Sequence, residues 1–410
     1  MAAASELRER NLGLVLTEVC RAAWRGGPAP GRAASRGQIA RRAGLHKTTV
    51  SQLADELLRA GLIVELSPVA AAQAGRPTVP LAPAPGRLAG LGLEVNVDYV
   101  GLKAFDLTGA VLAERLEAAD LRRSDPAEVL AHLAGLSRDV IGRLERNGAP
   151  VVGVGLALPG LTTTAGGRPA LLNAPNLGWR GLDLRPFEAQ VGRPLRLDNE
   201  ANLAARAEAR LAGPDPAEQS FIYLSAEAGI GAGLVLAGAL TGGPHGWAGE
   251  IGHVTVDPAG PVCTCGARGC LETYAGRRAI AQAVGLPASA GPEEVLAALG
   301  ADRVAAPAGA GGAGFGQVVG RLAAGLAGVL NLLDITQVVL GGDYAQLSPA
   351  LAAPLREALA ERALAARWGG AEVIVRAARA GPTAAIEGAA WSVLDQVLAN
   401  PAPYLATPAP

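Results

Sequence analysis

From residue 88 onward, apolar runs broken by glycine alternate with alanine-rich segments of helical spacing, and no other feature of the chain limits its fold so strongly. The runs LAGLGLEV (88–95), YVGLKAFDL (99–107), VVGVGLAL (151–158), SFIYLSAEAGIGAGLVL (220–236), QVVLGG (337–342) and EVIVRAA (372–378) read as strands. Strands alternating with helices predict α/β layers with mostly parallel sheets. A strand, strand, helix, strand run occurs early and something similar returns after residue 220, which permits two related lobes with a cleft between them.

The first 65 residues follow another pattern. LRERNLGLVLTEVCRAAW carries apolar residues at helical spacing until RGGPAPGRA breaks it. A second helix fits RGQIARRA behind Ser35 as N-cap, with Gly44 supplying the turn. HKTTVSQLADELLRAGLI then puts Val50, Leu53, Leu57 and Leu58 on one face. Two helices joined by a short glycine turn have helix-turn-helix spacing. LIVEL and TVPLAP predict two short strands around the loop SPVAAAQAGRP, which makes a wing.

Net charge is −1, yet residues 32–59 hold six basic residues against Asp55 and Glu56. A local basic patch on a near-neutral chain points one surface toward an anion. His46, Lys47, Thr48, Thr49, Ser51 and Gln52, at the start of the third helix, suit phosphates and base edges, as do Ser35 and Arg36. Arg76, between Gly75 and Pro77, is placed to reach a backbone or a narrow minor groove. A three-helix protein-interaction module with a solvated face has the same pattern. Aromatic interleaving is absent, which disfavours stacking on single strands.

Three of the four cysteines fall in CTCGARGC, ten residues after His253. Cys20 stands alone, so a disulfide scaffold is not expected. Three thiolates and an imidazole suit a tetrahedral Zn²⁺ in a closed, structural set of His253, Cys263, Cys265 and Cys270. Gly266 and Gly269 let the backbone turn tightly enough for the sulfurs to converge. The Cys-x-Cys spacing departs from the finger-like pattern, and unligated thiols are the competing reading.

GWAGEIGHVTVDP followed by CTCGARGCLE resembles the signature of the ROK family of bacterial sugar kinases and sugar-responsive repressors. The likeness covers most of residues 88–400. RLDNEANLAARAE resembles the family's sugar-contact segment, LALPG and NAPNLGW its pocket loops, and EAGIGAGLVLAG its second phosphate-loop region. A winged helix in front of such a body resembles the repressor branch, of the xylose-repressor-like kind. The resemblance implies a winged helix-turn-helix over 1–85 and a two-lobed ribonuclease-H-like (actin-like, sugar-kinase) α/β body over 86–400. Its lobes would be about 86–200 with a C-terminal helix, and 201–385. It also implies sugar contacts from Asn199, Glu250, His253 and Glu272, with Gly160 and Asn176 lining the pocket. Carboxylates and amides supply the paired donors and acceptors that a pyranose's hydroxyls need. One ring nitrogen of His253 would bind the metal while the other faces the sugar.

Two departures set the chain apart from the family's kinases. Where they open the first strand with Asp-x-Gly-Gly-Thr, this chain has Glu94, Val95, Asn96, Val97 and Asp98, so side chains crowd a loop that needs bare N–H groups for ATP phosphates. At the catalytic-base position stands Glu200, one methylene longer than aspartate, and misplacement by about 1 Å costs ~100-fold. Glu200 is therefore expected to serve as a sugar ligand. The expected protein is a sugar-responsive DNA-binding regulator and not an enzyme, in a homodimer or homotetramer on operator DNA; an active sugar kinase with a fused DNA-binding domain is the alternative. The longest apolar runs are short and glycine-broken, and MAAASELRERNLG has no apolar signal core, so a cytoplasmic location without a membrane partner is expected.

Overall fold

The computed structural model describes residues 2–26, 33–68, 78–213, 215–227, 229–305 and 312–405. At the N-terminus, α1 (Ala2–Gly26) packs against α2 (Arg36–Ala43) and α3 (Lys47–Arg59), beside a small sheet of β1 (Ala34–Ser35), β2 (Ile63–Glu65) and β3 (Pro80–Pro83) in the order β1-β3-β2. Ser35 caps α2 as expected: its Oγ accepts the Gln38 N–H while Gln38 Oε1 accepts the Ser35 N–H, a reciprocal capping box. Gly44 ends α2 at φ +66°, which turns the chain directly into α3. Val50, Leu53 and Leu57 bury the inner face of α3, and Leu58 is half-buried at its edge.

The first lobe holds β4 (Ala89–Val95), β5 (Tyr99–Asp106), β6 (Val111–Ala118), α4 (Pro126–Arg146) and β7 (Val151–Leu158). An excursion of β8 (Leu161–Thr163), β9 (Ala170–Ala174) and β10 (Trp179–Asp183) follows, then α5 (Arg185–Val191), β11 (Leu195–Asn199) and α6 (Glu200–Arg210). The second lobe holds β12 (Phe221–Ala226), β13 (Ile230–Leu236), β14 (Ala239–Leu240), α7 (Glu272–Ala275), α8 (Arg277–Ala283), α9 (Pro292–Ala305) and α10 (Gly312–Leu333). It continues through β15 (Gln337–Gly341), α11 (Gly342–Ala360), α12 (Leu364–Arg367) and β16 (Ile374–Ala377), and α13 (Ala384–Ala399) closes the body.

The two main sheets run β11-β7-β4-β5-β6 and β14-β13-β12-β15-β16, so each lobe places its third, second, first, fourth and fifth strands side by side. This is the repeat that the returning pattern after residue 220 announces. The sheets are not mostly parallel as expected. In each, two pairings are parallel and two antiparallel, because short turns join the first three strands and leave no room for crossover helices.

The glycines that punctuate the strands have a packing cause. A Cβ on Gly92 would lie 2.0 Å from the Ile386 carbonyl oxygen, and one on Gly155 would lie 2.0 Å from that of Ala389, so only bare backbone admits α13. α13 crosses α6 just as closely, with a Gly388 Cβ 1.7 Å from the Leu203 oxygen. A core of Leu203, Ala205, Phe221, Tyr223, Val339 and Ala389 thus joins the lobes through these two helices. α10 carries a stretch, Gly314–Leu333, long and apolar enough to cross a bilayer, unlike the short runs read from sequence. Here Leu322, Ala323 and Leu326 of that stretch are fully buried in the core of the second lobe.

The N-terminal helices share a core with α13. Leu12, Val15, Leu16 and Val19 of α1 are fully buried in one cluster with Ala390, Leu394 and Val397. Full burial of each such side chain contributes about 1.5–3 kcal/mol relative to exposure. Trp24 closes the joint: its indole N–H donates to the Leu107 carbonyl at 3.0 Å, and its ring meets that of Trp391 edge-on with centroids 5.2 Å apart. The Arg210 guanidinium carbon lies 3.9 Å from the Trp24 ring centroid and 3.3 Å from that of Trp391, and Arg210 also pairs with Asp395 at 3.2 Å.

Candidate functional site

Between β14 and α7 the chain has no long element, and tight turns shape it instead. The 253–270 segment folds back on itself through Cys263 N–H to the Ala267 carbonyl, Gly266 N–H to the Cys263 carbonyl and Gly269 N–H to the Pro261 carbonyl. Gly269 sits at φ +66°, and a Cβ there would strike the Asp257 oxygen at 1.6 Å, so no other residue fits the turn. Arg321 and Tyr274 both hold the Asp257 carboxylate from outside.

The ligand atoms of His253, Cys263, Cys265 and Cys270 lie within 4.8 Å of one another. Cys263 Sγ is 3.8 Å from His253 Nδ1, and Cys265 Sγ is 3.7 Å from Cys270 Sγ. Bonds of about 2.3 Å to a tetrahedral ion place ligands about 3.8 Å apart, so the four atoms fit a metal ion's coordination shell. Burial is the main influence raising the Cys270 thiol's pKa, whereas the Ala267 backbone N–H is the main one lowering that of Cys265. The other imidazole nitrogen, His253 Nε2, faces Glu250 Oε2 at 3.9 Å.

The expected sugar ligands gather at the mouth between the lobes. Asn199 caps α6: its Oδ1 accepts the Ala201 N–H at 2.8 Å and its Nδ2 donates to the Gly160 carbonyl at 2.9 Å. Gly160 takes φ +89°, and a Cβ there would lie 2.2 Å from the Asn173 oxygen. Glu272, at the start of α7, accepts the Ile230 N–H at 3.2 Å. A Cβ on Gly229 would lie 2.4 Å from Glu272 Oε2 and 3.6 Å from Asn176 Nδ2, which brings Asn176 of the first lobe toward Glu272 of the second. Gly160, Asn199, Trp247 and Glu250 line one narrow cavity. Burial raises the pKa of Glu250, His253 lowers it, and Glu272 raises it further.

Behind this pocket lies a group of acids that sequence reasoning saw only in part. Glu94 is 2% exposed, and burial followed by repulsion from Glu227 pushes its carboxyl to about 8. Glu200 opens α6 and is held well above the usual carboxylate range by burial and then by Glu227, Glu94 and Glu250. Glu227 is raised too, chiefly by burial. Asn96 of the first lobe donates to Glu227 Oε2 of the second at 2.5 Å. Asp98 pairs with Arg122 at 2.6 Å and, across the cleft, with Arg277 at 3.4 Å, while Arg277 holds Asp343 at 2.5 Å. Glu227 opens the EAGIGAGLVLAG run but was not singled out, and Arg277 and Asp343 gave no signal in the sequence, because only the fold sets them opposite residues 94–98.

On the helix-turn-helix, His46, Lys47, Thr48 and Gln52 are exposed and Thr49 and Ser51 half-exposed, all off the buried face of α3. The Arg36 guanidinium is engaged by Asp55 at 2.9 Å and Glu65 at 2.8 Å, and the Ser35 hydroxyl is spent on its cap. Exposed Arg41 and Arg42 end α2 beside them. Arg76 lies outside the described residues.

A sequence profile of the ROK family matches residues 91–396. The chain belongs to the ROK family. It is 29% identical over 352 residues to a xylose repressor of Caldicellulosiruptor bescii, covering 82% of this chain and 85% of the relative. It is 30% identical over 318 residues to a glucokinase of Halalkalibacterium halodurans, covering 74% of this chain and 95% of the relative. Among solved structures, a ROK family transcriptional regulator homologous to the E. coli MLC protein matches with a TM-score of 0.75 at 26% identity, covering 96% of this chain and 97% of that one. The ROK hexokinase of Thermus thermophilus matches with a TM-score of 0.59 at 29% identity, covering 75% of this chain and 99% of that one. The actin-like two-lobed body of the ROK family is thus this chain's fold, and the regulator's likeness extends over its N-terminal helices as well.

Proposed function

We propose that this chain is a cytoplasmic, sugar-responsive transcriptional regulator, a repressor, that binds operator DNA through its winged helix and carries no kinase activity. The observation that carries this reading is the filled phosphate loop. A triphosphate approaching residues 94–98 meets Glu94, Asp98 and Glu227 instead of glycine N–H groups, and Asn96 and Asp98 already reach across to the second lobe. Glu200 fails as a general base for the same reason. Burial first, and then the neighbouring Glu227, Glu94 and Glu250, favour its protonated form, which works against its taking a proton from a sugar hydroxyl.

The pocket itself keeps what carbohydrate needs. Asn199, Glu200, Glu250, His253 and Glu272, with Gly160 and Asn176 in its wall, present amide, imidazole and carboxyl groups from both lobes, so a bound sugar draws the lobes together. Zn²⁺ is the ion that suits the Cys₃His set. It would fix the His253 tautomer and ring plane, leaving Nε2 to meet a sugar hydroxyl, and a closed shell leaves no place for a reacting water. For DNA, His46, Lys47, Thr48, Thr49, Ser51 and Gln52 make the recognition edge, with Ser35, Arg36 and Arg76 as further contacts. A homodimer or homotetramer would set two such edges on half-sites about 34–36 Å apart or multiples of that.

The relatives named xylose repressor support this reading, while those named glucokinase support an active kinase. Purified protein with ATP and a panel of aldoses decides between them. The regulator reading expects no sugar phosphate above background, together with a sugar-induced rise in melting temperature. Sustained phosphorylation of any sugar at an enzyme's rate overturns it.

A further inference from the structure

The loop between β14 and the metal-ligand segment carries Trp247, which lines the narrow sugar cavity on one side and a further cavity on the other. Its ring is 39% exposed, yet it is fixed: the indole N–H donates to the Thr162 carbonyl at 2.9 Å, and the His245 ring stands 5.2 Å away, tilted by 36°. One side of Trp247 closes the narrow cavity with Asn199 and Glu250. A second cavity of about 370 Å³ opens beside it, sharing Thr162, Gly246 and Trp247 with the first. Thr163, Thr164, Asp198 and His245 are among the other residues that line it.

That volume lies within the roughly 300–1,000 Å³ of small-ligand sites. The lining combines the Trp247 ring, three consecutive threonines (Thr162, Thr163 and Thr164) and Asp198, the residue before Asn199. An aromatic face packs against the C–H face of a pyranose, while hydroxyls and a carboxylate satisfy its ring hydroxyls. A nucleotide or other polyanion would meet the Asp198 carboxylate there, with His245 as the one basic side chain in the lining.

We propose that this cavity is a second saccharide subsite and that the effector is a disaccharide, its second ring resting on Trp247. The proposal rests on the sugar-binding reading above and names the class of its ligand.

Calorimetric titration of the full-length protein with D-xylose, xylobiose, D-glucose, cellobiose and maltose tests it. At least one disaccharide is expected to bind on the order of 10-fold more tightly than its monosaccharide, about 1.4 kcal/mol. His245→Ala, at a residue that lines the second cavity and not the first, should cut that ratio to within about 2-fold while leaving monosaccharide affinity within about 3-fold, and Trp247→Phe should keep most of the ratio. Disaccharides that bind no more tightly than their monosaccharides overturn the subsite alone. So does a His245→Ala variant that leaves the ratio unchanged or weakens both classes in parallel. Heats of binding from no sugar at all overturn the parent reading as well.

Discussion

Asn199 and Arg210 are the two ends of one helix: Asn199 caps α6 at the sugar pocket, and Arg210 ends it between Trp24 of the N-terminal domain and Trp391 of the body. A helix is stiff along its axis, and this one is clamped midway, where Leu203 meets Gly388 of α13 backbone to backbone. On the proposed reading, a displacement of its cap by ligand would be felt at its far end. A ligand acts only through differential affinity for two states, and the stacked arginine would give those states different joint contacts.

Arg210→Ala should separate sensing from release. We expect sugar affinity within about 2-fold of the parent, but at least ~10-fold more sugar to be needed to free operator DNA, as read by fluorescence anisotropy. The variant should also lose on the order of 1–2 kcal/mol of stability, since a desolvated cation on aromatic faces is worth about that. If sugar releases DNA from the variant as readily as from the parent, α6 is not the connection.

Cys265→Ser should lose bound zinc and sugar response together, because His253 would lose the anchor that orients Nε2 toward Glu250. Elemental analysis of the purified protein and a sugar thermal-shift assay read the two quantities. A metal-free variant that still senses its sugar would make the ion incidental.

Lys47→Ala should weaken binding to every DNA sequence alike and reduce the salt slope by about 0.9, the loss of one phosphate contact. Binding measured from low to high salt gives the slope directly. An unchanged slope removes Lys47 from the interface.

The acid group makes stability depend on pH with a definite sign. Glu94 titrates near 8 when folded, well above the ordinary 4.5, so the folded chain holds a proton that the unfolded chain releases. Stability is then fully present below about 4.5 and declines as pH rises toward 8, by up to about 1.4 kcal/mol per pH unit for one proton. Melting temperatures between pH 5 and 9 should fall, and Glu94→Gln should flatten the curve. Equal slopes for parent and variant would place the titration elsewhere.

Local features were legible in the sequence wherever local chemistry decides them. Ser35 with Gln38 three residues on, Gly44 after the last arginine of α2, and the β7 run VVGVGLAL each took the form their residues dictate. The cysteines and His253 also converge, since their glycine turns are short-range. β6 and β11 were not recognised as strands. VLAERLEA lies at a sheet edge, where most of its side chains face solvent and its composition resembles a helix, and LRLDN is held by its parallel neighbour β7. The contacts Asn96 to Glu227 and Arg210 to Trp24 were invisible because they join residues 131 and 186 positions apart, and only the folded lobes bring them together.

The seat of α1 on α13 fixes when the reading head can work. Its hydrophobic socket, from Ala390 to Leu398, is translated after every other long element described, so a nascent chain carries α1, α2 and α3 packed on one another long before their seat in the body exists. A ribosome-bound fragment therefore presents an unseated head. On the proposed reading, firm operator occupancy would then be reserved for chains that already possess the pocket able to end it.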